Sequence, residues 1–292
     1  MLPKDLIKAV RRLEIIARRA VNDQLAGQYQ SVFKGRGMDF SDVREYQPGD
    51  DVRVIDWKVS ARMDDLYVKQ FVEERELTVI LLVDASGSQT FGSRSRRKQE
   101  TAAELAALLA FSAIKNNDRV GLITFTDRIE KFVPAKKGRK HVLRVITEIL
   151  SVEPEGSGTD IAAALGYLTR VIRKRAVVFV ISDFMDHGYE TALNIASRRH
   201  EIIPCVISDA MEETLPNMGL VTFEDPETGR VLTVDTTSAA VRDAYEGAMS
   251  RKRKERDRMF RRMRIEPITL RTGERYIEPL LNYFRLRARR MS

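Results

Sequence analysis

The stretch Thr78–Thr90, TVILLVDASGSQT, decides the fold. Its first half is an uncharged run of β-branched and aliphatic residues, the pattern of a strand buried on both faces, as in a parallel sheet covered by helices. The run stops at Asp84, and Ser86 and Ser88 follow at alternate positions. A carboxylate and two hydroxyls therefore stand where a buried strand emerges into a loop, which is where ligands gather in an open α/β sheet.

Downstream, the same alternation continues. QETAAELAALLAFSAIKNN reads as a helix, RVGLITFTD as a strand followed by the short RIEKFVPA, and RKHVLRVITEILSV as a helix. After the loop EPEGSGTD come the helical DIAAALGYLTRVIRKR, the strand AVVFVISDF, the helical ETALNIASRRH and the strand EIIPCVISD. Strands alternating with helices of this length predict an α/β fold with a doubly wound, mostly parallel sheet. GLVTFED and GRVLTVDT, joined by DPETG, read as an edge hairpin closing one side of that sheet. A long basic helix, AAVRDAYEGAMSRKRKERDRMFRRMR, and a terminal one, ERYIEPLLNYFRLRARR, end the chain.

Upstream, Leu6, Ile7, Val10, Leu13, Ile16 and Ala17 recur at helical spacing between arginines. The segment from Gly27 to Glu76 carries turn signals at GRG and PGDD between short extended pieces and reads as a small appended subdomain. The expected organisation is 1–76 for helix and subdomain, 77–236 for the sheet domain, and 237–292 for basic helices packed on it.

Composition bounds the class. The 292 residues, 43% of them hydrophobic, suffice for a sizeable core, and the 32% charged fraction implies a heavily charged surface. The formal charge of +8 favours an acidic partner, an anionic membrane surface or nucleic acid, but only weakly. The lone Cys205 excludes a disulfide framework and points to a reducing compartment. No apolar run is long enough to span a bilayer and the N-terminus lacks a signal-like apolar centre, so a cytoplasmic location is expected, with peripheral membrane contact left open.

Three loops at strand ends carry oxygen ligands: Asp84, Ser86 and Ser88; Thr159 in GSGTD; and Asp183 after AVVFVIS. Carboxylates, hydroxyls and waters suit a hard divalent ion, best magnesium, with manganese the alternative. Three of the five ligands are neutral hydroxyls, so the site is expected to accept a further carboxylate from a partner. The reading that Asp84 and Thr159 merely cap helices stays open. Dehalogenase-like and receiver-like sites lack their second acid and their lysine, GxSxG is absent, and His141, His187 and His200 show no triad spacing. Binding rather than catalysis is expected, with a metal-dependent hydrolase as the alternative. GRGMDF carries two glycines of a dinucleotide fingerprint, but Phe40 stands at the third and no strand precedes it.

Asp84-x-Ser86-x-Ser88 with the distant Thr159 and Asp183 resembles the metal-ion-dependent adhesion site of von Willebrand factor A domains. That resemblance implies that Ser86, Ser88 and Thr159 touch the ion, that Asp84 and Asp183 hold it directly or through water, and that an acidic partner residue completes it. Together with GRGMDFSDVREYQPGDDVRVIDWKVSAR upstream, the chain is similar to the bacterial family of domains of unknown function 58. This implies an adaptor for a MoxR-type AAA+ ATPase acting on a client protein. Within the signature, Arg44, Asp50, Asp51, Arg53, Asp56 and Trp57 are candidates either for an internal salt-bridged network or for partner contact. The basic run SRKRKERDRMFRRMR admits a nucleic-acid or membrane-surface adaptor as a further alternative, but Glu255 and Asp257 interrupt it, and Met259, Phe260 and Met263 form a packing stripe.

Overall fold

The computed structural model describes residues 3–21, 23–33, 38–63, 65–73, 76–90, 97–224, 229–274 and 276–291. The chain divides into two compact units, one formed by residues 33–77 and the other by 1–32 with 78–292. The expected N-terminal subdomain is thus narrower than 1–76, because the first two helices belong with the sheet.

Those helices are α1 (Pro3–Ala20) and α2 (Asp23–Val32). The apolar stripe of α1 buries Leu13 and Ala17, and Arg139 and Arg18 both pair with its buried Glu14. In α2, the Tyr29 ring meets Phe284 edge-on at 6.0 Å, and its hydroxyl donates to the buried Asp118 at 3.0 Å. An amphipathic helix is stable chiefly when its stripe finds such a surface.

In the smaller unit, β1 (Met38–Glu45) pairs antiparallel with β2 (Tyr67–Glu73), with α3 (Trp57–Met63) between them in sequence. Phe40 lies in β1 rather than in a helix, so the fingerprint pattern is not met; Gly35 and Gly37 lie outside the described residues. Buried Ile55 bridges Val68.

The sheet begins with β3 (Thr78–Asp84), which leads to α4 (Lys98–Lys115), β4 (Arg119–Phe125), β5 (Ile129–Lys136), α5 (Arg139–Leu150), α6 (Ile161–Val171), β6 (Val177–Ser182), α7 (Glu190–Arg199) and β7 (Glu201–Ser208). The short α8 (Ala210–Glu213), β8 (Leu220–Glu224), β9 (Val231–Asp235), α9 (Ala239–Arg262), β10 (Ile268–Arg271) and α10 (Ile277–Met291) complete the chain. Six strands lie in the order β10-β7-β6-β3-β4-β5, parallel except for β5. This is a doubly wound, mostly parallel α/β sheet, as expected from the sequence.

Side chains alternate across β3. Ile80 and Leu82 join a core with Leu165, Val180 and Phe260 on one face. Every residue from Thr101 to Ala113 of α4 is buried, because the helix is apolar on nearly every side and has α1, α5 and the sheet around it. Cys205 sits buried in β7, as a core thiol.

The hairpin β8–β9 differs from expectation: it is a separate two-stranded sheet, and β10 takes the edge beside β7 instead. Only Ile268 and Leu270 alternate inward in β10, too short a pattern to register as a strand in sequence. Basic α9 docks by Met259 and Phe260, matching its expected stripe. Among the described residues, no helix is long and apolar enough to cross a membrane.

Candidate functional site

Parallel pairing of β3 with β6 sets Val83 opposite Ile181, so both strands end at the same level. From β3 the chain moves towards β4, while β6 begins the other half of the sheet, so this is where the winding reverses. Here Asp84 is 2% exposed and Asp183 4% exposed. The hydroxyl of Ser182 donates to Asp84 Oδ2 at 2.6 Å, and the Ser86 backbone N–H donates to Asp84 Oδ1 at 2.9 Å. Ser86 and Ser88 place their Oγ atoms 3.0 Å apart.

Thr159 arrives on the loop between α5 and α6. That loop is tied to the Asp84 loop by Gly87 N–H donating to Ser157 O at 3.1 Å. Asp160, not Thr159, caps α6, accepting from Ala163 N–H at 2.7 Å. The capping reading therefore belongs to the neighbouring residue, and Thr159, half-buried, is left on the loop that faces the Asp84 turn.

Glu130 braces the same loop. Its Oε1 accepts from Thr126 Oγ1 at 2.6 Å and Gly156 N–H at 3.0 Å, and its Oε2 from Glu155 N–H at 3.2 Å. Burial acts to raise the Glu130 pKa, but these bonds outweigh it and hold the carboxyl below its ordinary value. Gly156 has no room for a side chain: a Cβ there would stand 2.3 Å from Thr126 Oγ1 and 1.9 Å from Asp127 Oδ1. Gly156→Ala is therefore expected to break the Thr126–Glu130 bond and lose about 1–3 kcal/mol, as overpacking does. Urea denaturation checks this, and a variant as stable as the parent would show the loop to be slack.

The principal electrostatic feature was not legible in the sequence. Lys98, at the start of α4, is fully buried, and its ammonium donates to Asp183 Oδ2 at 2.8 Å while also pairing with Glu212 of α8. Burial alone would lower the Lys98 pKa, but the charges of Asp183 and Glu212 raise it above the ordinary value. Glu212 is raised, chiefly by burial, with Lys98 acting in the opposite direction. Among the described residues, Asp84 forms no such ion pair. Burial, and then the charge of Asp183, push its carboxyl up to about 7 despite the bonds from Ser182 and Ser86.

Among the described residues, three carboxylates thus share the pocket with one ammonium. Arg256 reaches the main-chain oxygen of Asp183, at 3.5 Å, rather than its carboxylate. Buried Gln89 approaches Asp84 Oδ2 at 3.5 Å through Nε2, and its Oε1 accepts no hydrogen bond among the described residues. Surplus negative charge, two adjacent hydroxyls and an orphaned carbonyl oxygen fit a hard divalent cation in charge and in donor chemistry. Asp183 Oδ1 accepts from Met185 N–H at 3.1 Å, so both its oxygens are engaged, although each retains a second lone pair. No group of three or more His, Cys, Asp or Glu is arranged for a metal among the described residues, so hydroxyls would have to supply much of any coordination. None of His141, His187 and His200 hydrogen-bonds to Asp84, Ser86, Ser88 or Asp183.

The signature residues divide. Arg44 forms a two-pronged pair with Asp50, both bonds 2.7 Å, and Asp50 also accepts from Gln47 N–H. Asp51 accepts from Arg53 N–H, and Asp56 caps α3 through Lys58 and Val59 N–H. These four charges build the subdomain internally, whereas Trp57 is 66% exposed and the Arg53 side chain 89% exposed.

Comparison with known proteins bears on this arrangement. A family model described as protein of unknown function DUF58 matches residues 42–255. Mb1516 of Mycobacterium bovis is 30% identical over 287 residues, 97% of this chain and 90% of that protein. Among solved structures, an aerotolerance-related membrane protein from Bacteroides fragilis covers 74% of this chain and 100% of its own, at 17% identity and a TM-score of 0.48. The VWA domain of SpRpn10 covers 71% and 94%, at 12% identity and a TM-score of 0.37.

Proposed function

Since this chain belongs to the DUF58 family and carries a von Willebrand factor A-like sheet, we propose that it is a magnesium-dependent protein-binding adaptor. It captures an acidic residue of a partner at the carboxyl edge of β3 and β6. The partner we propose is a MoxR-type AAA+ ATPase together with a client that it assembles or remodels. The observation that carries the reading is the buried acidic pocket of Asp84 and Asp183, flanked by the Ser86 and Ser88 hydroxyls and only partly neutralised by the Lys98 ammonium.

Ser86, Ser88 and Thr159 would hold the ion, with Asp84 and Asp183 supplying negative charge directly or through water. When bound, magnesium or manganese supplies a Lewis-acidic position open to a carboxylate. The chain's own residues do the rest. Ser182 and Ser86 N–H fix the Asp84 carboxylate, and Glu130 braces the Thr159 loop. Lys98 neutralises part of the negative charge that Asp183 and Glu212 bring to the pocket.

The test is a melting series of the full chain against magnesium, with Ser86→Ala as control. A ligand bound only to the fold at about 100 times its Kd adds roughly 2.7 kcal/mol. Stabilisation that is present in the parent and lost in Ser86→Ala is the expected result. Capture of the ATPase that is equal in magnesium and in EDTA would sink the metal-dependent reading.

A further inference from the structure

Directly after Asp183 the chain turns sharply. Phe184 has φ +57°, a left-handed conformation that few non-glycine residues adopt and that tends to occur where function needs it. The turn drives the Phe184 ring inward, edge-on to Phe260 of α9 at 5.4 Å and 5.9 Å from Tyr189. Between this loop and α9 lies an open trough of about 740 Å³. Its floor is apolar, made by Phe184, Tyr189 and Met259, all buried.

Once internal ion pairs are set aside, Lys252, Arg258 and Arg261 outnumber the carboxylates of Asp186 and Glu255 along the trough. Glu190 is bonded to Arg262 at 2.8 Å, and Arg256 to Asp257 at 3.0 Å. Asp186 spends its two oxygens on the backbone N–H groups of Ile161 and His187, at 2.8 and 2.6 Å. Lys252, Arg258 and Arg261 remain exposed along the α9 wall and make no ion pair among the described residues, and only Glu255 opposes them there. The trough also runs up to the pocket described above: Met185 and Arg256 line both it and a recess of about 70 Å³ that contains Asp183 and Glu212.

We propose that this trough is a docking groove for an extended acidic peptide segment that carries apolar side chains between its carboxylates. Successive side chains of an extended peptide point to opposite sides, so one set can enter the apolar floor while the other meets Lys252, Arg258 and Arg261. A flat bilayer cannot reach a floor recessed between two walls. A phosphate backbone would bring no apolar groups to that floor. The proposal extends the partner-capture reading, but it stands on the charges of the groove and holds without metal.

The experiment uses the full chain, in EDTA and separately in magnesium, and a short fluorescein-labelled peptide of alternating glutamate and leucine, followed by anisotropy. A single-stranded oligonucleotide and phosphatidylserine vesicles are the competing probes. The expected result is saturable peptide binding, equal in EDTA and in magnesium and weakened at least about tenfold by the combined changes Lys252→Glu, Arg258→Glu and Arg261→Glu. The three changed residues are exposed, so the fold should tolerate them. Failure of the parent to bind the peptide, or equal binding by the charge-reversed variant, overturns the groove. So does a charge-dependent preference for the oligonucleotide or the vesicles. Binding that needs magnesium, vanishes in Asp84→Asn and ignores the charge reversal would sink the groove while leaving the metal-dependent capture standing.

Discussion

Lys98→Met is expected to lose about 3–5 kcal/mol of folding stability at neutral pH, the loss typical of removing one partner from a buried ion pair. The side chain is fully buried, so water cannot replace the ammonium, and methionine fills a similar volume without its charge. What remains is Asp183 and Glu212 facing each other uncompensated. Adding Glu212→Gln should return part of the loss, and the double-mutant cycle isolates the coupling between the two. Magnesium should stabilise Lys98→Met more than the parent, because the variant pocket holds one positive charge fewer. Chemical denaturation with and without magnesium reads both effects. A variant as stable as the parent would mean that the bridge does not form in solution.

Asp84→Asn is expected to do the opposite, stabilising the metal-free protein while abolishing its response to magnesium. The sign follows from linkage. The Asp84 pKa is raised from 3.8 to about 7 by burial and by Asp183, so the folded state favours the protonated carboxyl. Folding stability is therefore fullest below pH 3.8 as far as this group is concerned, and falls as pH rises towards 7. A shift of this size corresponds to a penalty on the order of 4 kcal/mol at neutral pH. Asparagine carries no charge to desolvate and can keep the hydrogen bond from Ser86 N–H. Thermal melts of both proteins across this pH range should converge at the acid end and separate towards neutrality. Parallel curves would show that Asp84 bears no such strain. A residue that lowers stability where it stands is the usual signature of a site kept for binding.

Much of this architecture was legible because it is periodic. TVILLVD, VVFVIS and IIPCVIS are continuous apolar runs of strand length, and the helices between them repeat at helical spacing, so the strands, the helices and their burial followed directly. The pocket's loop residues were legible for a related reason: an acid or hydroxyl directly after a buried strand has few structural uses. The hairpin at 220–235 was misplaced and β10 missed because edge pairing depends on which strand reaches the open side of β7. Two inward residues, Ile268 and Leu270, carry too little pattern to announce that.

Lys98 marks the boundary between the two kinds of information. In SRSRRKQE it is one basic residue among several, with nothing to separate it from a solvated helix start. Only the fold carries its ammonium beneath the ends of β3 and β6, where α8 brings Glu212 to meet it. The same holds for Ser182, whose hydroxyl reaches Asp84 because two strands distant in sequence end in register. Local sequence determined the strands, the helices and the oxygen-rich loops, because backbone preference and apolar periodicity act over neighbouring residues. Tertiary structure alone decided the charge balance of the pocket, because electrostatic pairing depends on distance and burial, and neither is set by position along the chain.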